Sequence, residues 1–276
     1  MARRRKRSST PAWPKRDCLA PTTAMQSRIA IFSPTDREVP LPPGGQVIAT
    51  SQYGHAEIEG YRPTRGDKLI IEAVIALGKH AQPSRDTSGK LRGGVFHVDP
   101  KQVAHLIGKR KHVDWVMGRL SRIGKAQVKL YDASGSMIAF YHMIAEAEKT
   151  EDGYYDVVFT SGYLETWLHD TQIFCEQIVG MLAEIESPVV GMLVERSLTQ
   201  EYYREGLDKA MKGVGALSAS ARKQRERYAD VRKAGETFAR FGIRLYRSQK
   251  TGEEVLERDE NVLKAFGLVQ ITPQRA

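Results

Sequence analysis

Hydrophobic residues recur at helical spacing in both halves of this 276-residue chain, and each helical region is followed by strand-like runs. In the first half, "RGDKLIIEAVIALGKH" is predicted as a helix that buries Leu69, Ile70, Val74 and Leu77. The preceding "QVIATSQYGHAEIEGYRPT" is typical of a short hairpin or an extended segment. The polar run "AQPSRDTSGKLRGG" after the helix is predicted as a loop.

Two further helices and a hairpin are predicted next. Asp99 before Pro100 is a favourable N-cap and first-turn pair, so a short helix is expected there, ended by Gly108. A second helix is expected from near Arg110 to a stop at Gly124. The runs "AQVKLY", "MIAFYHMI" and "YYDVVFTS" then predict strands, separated by the turns "DASGS" and "TEDG". This order is that of a winged helix-turn-helix.

The second half of the chain repeats this order of elements. "TQIFCEQIVGMLAEI" is predicted as a connecting helix, and "SPVVGMLVERSLTQ" as a helix capped by Ser187 and Pro188. "EYYREGLDKAMKGVG" is predicted as a short amphipathic helix, and "SASARKQRERYADVRKAGETFARFG" as one long helix ended by Gly242. "IRLYRSQKTGEEVLERD" is typical of two strands around a turn, which would form a wing.

Together these patterns predict an α+β chain with two tandem winged helix-turn-helix domains, at residues 46–170 and 171–276. Residues 1–45, rich in Arg, Ser, Thr and Pro, are predicted to form a disordered basic arm.

Hydrophobic residues make up 41% of the chain, as in folded soluble proteins, and no apolar run is long enough to cross a membrane. The distant pair Cys18 and Cys175 favours a reducing cytoplasm over a disulfide framework.

Charge divides the chain into basic and acidic segments. The net charge is +9, and residues 3–16 contain seven basic residues and no acid. Residues 84–130 hold eleven basic and three acidic residues, and residues 218–250 hold ten and three, whereas residues 131–217 hold five and fifteen. Basic stretches that neutralise phosphates release counterions and so favour binding. Nucleic acid is therefore the predicted partner.

The stretch "ARKQRERYADVRKAGETFARFGIRL" separates charged from apolar residues when it is drawn as a helix. At about 100° per residue, its apolar side is formed by Tyr228, Val231, Gly235 and Phe238. The opposite side carries the cations Arg222, Arg225, Arg232, Lys233 and Arg240. A DNA recognition helix and an ordinary amphipathic helix with a basic outer face both explain this stripe. The preceding short helix, the glycine stop and the hairpin favour the recognition helix.

Motifs for catalysis and cofactor binding are missing from the sequence. It contains no GxxxxGK[ST] phosphate loop, no HExxH zinc motif and no GxSxG nucleophile. His105 and His112 are predicted on different helices, which favours packing or surface roles over metal binding. A nicking nuclease would be expected to carry a His-x-His metal site near a tyrosine, and no such triplet occurs. The sequence predicts a protein that is not an enzyme and uses no cofactor or metal.

Three local features resemble plasmid replication initiators with tandem winged helices, particularly the RepC-type initiators of IncQ broad-host-range plasmids. They are "CLAP" in the arm, "QYGHAEIEGYRPTRGDKLIIEAVIALG" in the first domain and "ARKQRERYADVRKAGETFARFGIRL" in the second. The likeness spans about residues 46–258. Compared with that family, the long helix has an extra turn before its glycine, and the hairpin of the first domain is long.

The resemblance implies a protein that binds repeated double-stranded DNA sites (iterons) at a plasmid origin, helps to melt an adjacent AT-rich segment, and recruits a host or plasmid helicase. The C-terminal winged helix would enter the major groove, while the first domain would contact the DNA backbone or form a homodimer. By position, the base-reading residues would be Arg222, Arg225 and Arg232, with Lys223 and Lys233 beside them. The phosphate contacts would be Arg244, Arg247 and Lys250 of the wing and Arg119 and Arg122 of the first domain.

Several other functions are open from the sequence. A winged-helix transcription regulator or autorepressor would use the same DNA contacts, so the sequence does not separate it from an initiator. A replication enzyme, such as a primase or a nicking nuclease, is the less favoured alternative. A basic helical scaffold that binds only protein is a third.

Overall fold

The fold is α+β, and every pairing between its strands is antiparallel. The computed structural model describes residues 22–23, 29–51, 54–78, 82–88, 90–109, 112–169, 172–174, 176–200, 202–262 and 269–271. Its strands are β1 (Thr22–Thr23), β2 (Gln46–Ser51), β3 (Gly54–Glu59), β4 (Gln82–Arg85), β5 (Leu91–Val98), β6 (Gln127–Asp132), β7 (Met137–His142), β8 (Ile144–Lys149), β9 (Tyr155–Thr160), β10 (Gln172–Phe174), β11 (Arg204–Gly206), β12 (Ile243–Arg247), β13 (Glu254–Arg258) and β14 (Val269–Ile271). Its helices are α1 (Arg65–Leu77), α2 (Pro100–Leu106), α3 (Val113–Ile123), α4 (Ser161–His169), α5 (Glu176–Ala183), α6 (Pro188–Leu198), α7 (Leu207–Gly213), α8 (Ala221–Lys233) and α9 (Gly235–Arg240).

The strands form four sheets in the described part of the chain. Two sheets have four strands each, in the orders β2-β3-β6-β7 and β4-β5-β9-β8, and two have three, in the orders β1-β10-β14 and β11-β13-β12. The run "MIAFYHMI", predicted as one strand, is divided between the two four-stranded sheets. Met143 lies at the division and is fully buried, so the chain crosses from one sheet to the next at an apolar anchor.

α1 is the central helix of the first half, and the prediction of a helix there is confirmed. A capping box starts it: Thr64 accepts a hydrogen bond from the Asp67 backbone N–H, and the Asp67 carboxylate accepts one from the Thr64 N–H at 2.7 Å. Every residue from 65 to 76 is buried, so the helix has no solvent face. Such a helix must be packed on all sides.

Part of the predicted arm is folded, which corrects the boundary at residue 45. Ile29, Ala30, Ile31 and Phe32 form a short apolar run that is buried in the core. The Ser33 N–H donates to a backbone carbonyl at 2.7 Å, which ties the run to the segment before α1. β1 pairs with β10. The rest of the predicted arm, at 1–21 and 24–28, lies outside the described residues.

Three other segments differ from their predictions. The predicted loop after α1 contains β4 and the start of β5, where Gly93 lies so close to β9 that an added Cβ would be 2.5 Å from the Phe159 carbonyl oxygen. A glycine at such a close contact weakens the alternating pattern by which a strand is recognised in the sequence. The predicted connecting helix begins as β10 and becomes helical only at α5. The predicted short amphipathic helix begins as β11 and continues as α7.

The hydrophobic core continues across residue 170, where the domain boundary is predicted. Arg65 of α1 donates to the carbonyl oxygens of Leu182 and of Ile185, the latter at 3.2 Å. Gly191 of α6 makes room for this guanidinium, since an added Cβ would lie 2.2 Å from its Nε. These contacts join α1 to the C-terminal end of α5 and to the segment that follows it.

A second buried contact across the same boundary joins Lys68 of α1 to Glu195 of α6. Lys68 also lies 3.7 Å from Glu72, four residues along α1. Burial by itself lowers the pKa of the Lys68 ammonium, but the two carboxylates outweigh it and raise this pKa above its ordinary value. The lysine is therefore held in its charged form inside the protein.

The predicted long helix is two helices, α8 and α9, divided at Ala234. The backbone of Ala234 leaves helical geometry at φ −83 and ψ 22, and Gly235, a poor helix former, follows it. Phe238 of α9 and Phe241 just after it are buried in the core, as is Val231 of α8. The predicted stop at Gly242 is confirmed by its left-handed φ of +62.

Candidate nucleic-acid interface

The basic stretch lies in residues 188–258, where α6, β11, α7, α8, α9, β12 and β13 follow one another. β13 lies between β11 and β12, and α8 contacts α6. Val231 of α8 is fully buried, whereas most residues of this helix are at least partly exposed. α8 is thus supported along one side by the core, and its other side is open.

An arginine holds the turn between α7 and α8. Gly215 takes a left-handed φ of +67 there, and the Arg227 Nη1 donates to the carbonyl oxygens of Ala216 at 2.6 Å and Leu217 at 3.3 Å. Burial lowers the pKa of Arg227. Ser220 then caps α8. Arg227 therefore fixes the angle between the two helices instead of extending toward solvent.

All five predicted DNA contacts of α8 are exposed: Arg222, Lys223, Arg225, Arg232 and Lys233. Arg222 pairs with Glu226 one turn further along the helix, at 2.9 Å, yet 85% of the Arg222 side chain remains exposed. Exposed pairs of this kind are weak. Within the described residues, the Arg225 guanidinium has no ion-pair or hydrogen-bond partner.

Arg232 is held by β13 of the β12–β13 hairpin. Its Nε and Nη2 donate to the two carboxylate oxygens of Glu254, at 2.8 and 2.7 Å, and its guanidinium lies 5.5 Å from the centre of the Tyr228 ring. The hydrogen bond raises the pKa of Arg232 and lowers that of Glu254. Tyr228 in turn donates to Asp208, and burial together with this bond raises the Tyr228 pKa to about 12.

The β12–β13 hairpin, which was predicted as a wing, carries the three predicted phosphate contacts Arg244, Arg247 and Lys250, all exposed. Arg244 bonds to Glu257 directly across the hairpin, at 2.8 and 3.1 Å. The Arg247 Nε donates to the Gly252 carbonyl oxygen at 2.7 Å, which closes the turn. Lys250 lies in the turn itself and has no ion pair within the described residues.

A cleft of about 520 Å³ lies where the end of α8 meets the β12–β13 hairpin. It is lined by Arg232, Leu245, Tyr246, Arg247, Gly252 and Glu254. Two arginines and one carboxylate leave this cleft with a net positive charge. One predicted contact of the helix, Arg232, and one of the hairpin, Arg247, therefore line the same cleft.

The burial of Arg119, which is only 3% exposed, contradicts the prediction that this residue contacts phosphate. Its Nε donates to the Asp67 carboxylate at 2.6 Å and its Nη2 to the Thr64 hydroxyl at 2.6 Å, so it completes the cap of α1. Trp115 covers it from outside, with the guanidinium 5.4 Å from the ring centre. Arg122, on the same helix, is exposed and pairs with Glu38 at 2.7 Å.

Sequence reasoning missed the acidic partners of the predicted cations. Glu254 and Glu257 were not part of the predicted site, yet they fix two of its arginines. A signal was available for Glu257, because a register centred on the Lys-Thr-Gly turn places it opposite Arg244. The same register places Glu254 opposite Arg247, whereas Glu254 binds Arg232 of α8. Asp67 carried no such signal, since its contact with Arg119 joins residues 52 positions apart.

Two kinds of feature are missing from the described residues. They contain no group of three His, Cys, Asp or Glu side chains placed to hold a metal ion. They also contain no helix with the length and apolar character needed to span a bilayer.

Neither the models of known protein families nor the sequences of curated proteins give a match to this chain.

Proposed function

We propose that the protein is a sequence-specific double-stranded DNA-binding protein that initiates plasmid replication. In this proposal residues 188–258 are a winged helix-turn-helix, with α8 as the recognition helix and the β12–β13 hairpin as the wing. One observation carries the proposal: α8 packs on the core through Val231 and carries five exposed cations on the rest of its surface. A helix of this kind is suited to lie against a polyanion.

The dimensions and chemistry of α8 support binding in the major groove. A helix with its side chains is about 10–12 Å across, and the major groove of B-DNA is about 12 Å wide. Arginine can pair with both acceptors of a guanine edge or with two phosphate oxygens. The order is one helix, one strand, three helices and two strands, and α8 and α9 together occupy the place of the predicted recognition helix. This order, with β13 central in its sheet, is consistent with a wing beside the recognition helix.

The role in initiation rests on the sequence resemblance to plasmid initiators. It adds tandem iterons as the target, an AT-rich segment as the place of melting, and a helicase as a further partner. In the first half, Arg122 and Lys125 are exposed on and just after α3, which supports a second contact with the DNA backbone. A homodimer formed through the first half is the alternative role for that region.

The test is a selection of bound duplexes from a randomised pool by the full chain, followed by footprinting on the DNA around its gene. Several tandem repeats beside an AT-rich tract would support an initiator. A single palindrome over a promoter would support a transcription regulator instead. With about six to eight phosphate contacts, log affinity should fall against log salt with a slope near −5 to −7. Failure to shift any duplex at low salt would overturn DNA binding altogether.

A further inference from the structure

Glu254 places a negative charge inside the surface proposed to bind DNA. Its side chain is 33% exposed and lies in the cleft between α8 and the wing. A carboxylate in such a place repels phosphates and so opposes binding to DNA of any sequence. A gain in DNA affinity therefore does not explain why Glu254 lies in this cleft. Its contact with Arg232 points to another role.

Arg232 is held more firmly than any other predicted base-reading residue. The Glu254 carboxylate accepts hydrogen bonds from two nitrogens of Arg232, and the Tyr228 ring lies against the guanidinium. Tyr228 is itself fixed by its hydrogen bond to Asp208. The Arg232 Nη1 has no partner among the residues that the structure describes, so its N–H groups stay available. An arginine held in this way loses less side-chain freedom when it binds than a mobile one does.

We propose that Glu254 is a positioning residue that makes Arg232 a reader of sequence instead of a general phosphate contact. The inference rests on the proposed function. A guanidinium whose charge is balanced by a carboxylate gains little from a phosphate at an arbitrary position. When the guanidinium is held at one place, it can donate hydrogen bonds to a base edge that has an acceptor at that place. Glu254 thus lowers affinity for all DNA and lowers it least for the correct site.

The experiment compares Glu254→Gln with the matched variant Glu253→Gln in the full chain. Glu253 is the neighbouring exposed wing carboxylate and forms no ion pair within the described residues. Two duplexes are used: one enriched by the unsubstituted chain from a randomised pool, and the same duplex with its bases shuffled. Both variants gain one unit of positive charge, so both should bind the shuffled duplex more tightly. Only Glu254→Gln should lower the ratio of affinities for the two duplexes, by about tenfold.

Two further measurements separate positioning from a structural role. Glu254→Gln should steepen the salt slope on the shuffled duplex by about one, because the freed Arg232 can contact a phosphate. In an Arg232→Ala background, Glu254→Gln should leave the affinity ratio unchanged. A ratio that still falls in that background would overturn the inference, as would an unchanged ratio in the single variant. If the unsubstituted chain binds both duplexes equally, the proposed function fails and the inference fails with it.

Discussion

α3 and α8 are both basic helices that follow a shorter helix and a turn, but they use their arginines differently. Arg119 of α3 points into the protein, where Asp67 and Thr64 bind it. Arg225 of α8 is exposed, and its guanidinium has no hydrogen-bond or ion-pair partner among the described residues. The same residue type thus supports the core in one helix and lies on the surface in the other.

The difference shows that a basic helix identifies a binding surface only when its acidic partners are known. A buried carboxylate from a distant segment turns Arg119 into part of the cap of α1. A nearby carboxylate on the wing fixes Arg232 without burying it, and Arg225 has no such neighbour. Counting cations along the sequence gives these three arginines equal weight, whereas their partners give them different functions.

Arg119→Ala should produce the largest effect and tests the interior side of the comparison. It leaves the buried Asp67 carboxylate without its cation, so the free energy of unfolding should fall by about 3–5 kcal/mol. Urea unfolding measures this loss, and Arg122→Ala on the same helix is the control, with a change of about 0.5 kcal/mol or less because Arg122 is exposed. A stable Arg119→Ala protein with weakened DNA binding would restore the phosphate assignment.

Gly191→Ala should also destabilise the protein, by about 1–3 kcal/mol, because the new methyl group would overlap the Arg65 guanidinium. The matched change is Gly118→Ala on α3, where an added Cβ meets no atom within 4 Å. That change should stabilise the protein by up to about 1 kcal/mol, since alanine favours a helix. Thermal unfolding distinguishes the two. Equal effects would show that Arg65 moves aside without cost.

Arg225→Ala sharpens the surface side of the comparison. Binding to the selected duplex should weaken by about 1–3 kcal/mol if Arg225 reads a base, while the melting temperature stays unchanged. Fluorescence anisotropy with selected and shuffled duplexes measures the specific part of the loss. Equal weakening on both duplexes would reassign Arg225 to a phosphate contact.

Lys250→Ala should give the smallest effect. A lysine in the turn of the wing contacts at most one phosphate, so the slope of log affinity against log salt should become shallower by about 0.9. The loss should be the same for selected and shuffled duplexes, because a phosphate contact carries no sequence information. A change in the preferred base at any position would instead place Lys250 in a groove.

The sequence predicted the elements whose signals are local. Pairs such as Asp99 with Pro100, and Ser187 with Pro188, identified the starts of α2 and α6, and Gly242 identified the end of α9. Elements that depend on distant partners were missed. β10 is three residues long and is defined by β1 and β14 on either side of it. A strand that short has no periodicity of its own to detect.

The candidate site shows the same division. The exposed stripe on α8 followed from helical angles, because a helix repeats itself over a few residues. The break at Ala234 did not, since Val231 and Phe238 also lie on one side of an unbroken helix and their spacing gives no sign of it. Arg119 was misassigned for a related reason: its burial is decided by Asp67, in a helix that precedes it by two strands and another helix.

The contact between Lys68 and Glu195 has a consequence for the synthesis of the chain. Its two residues are 127 positions apart, so a ribosome makes Lys68 roughly 6 to 25 seconds before Glu195 at ordinary elongation rates. During that interval α1 lacks the α5 and α6 surfaces that cover it in the finished protein. We expect its apolar residues, Ile70, Ile71 and Val74 among them, to be open to chaperones until the second half emerges.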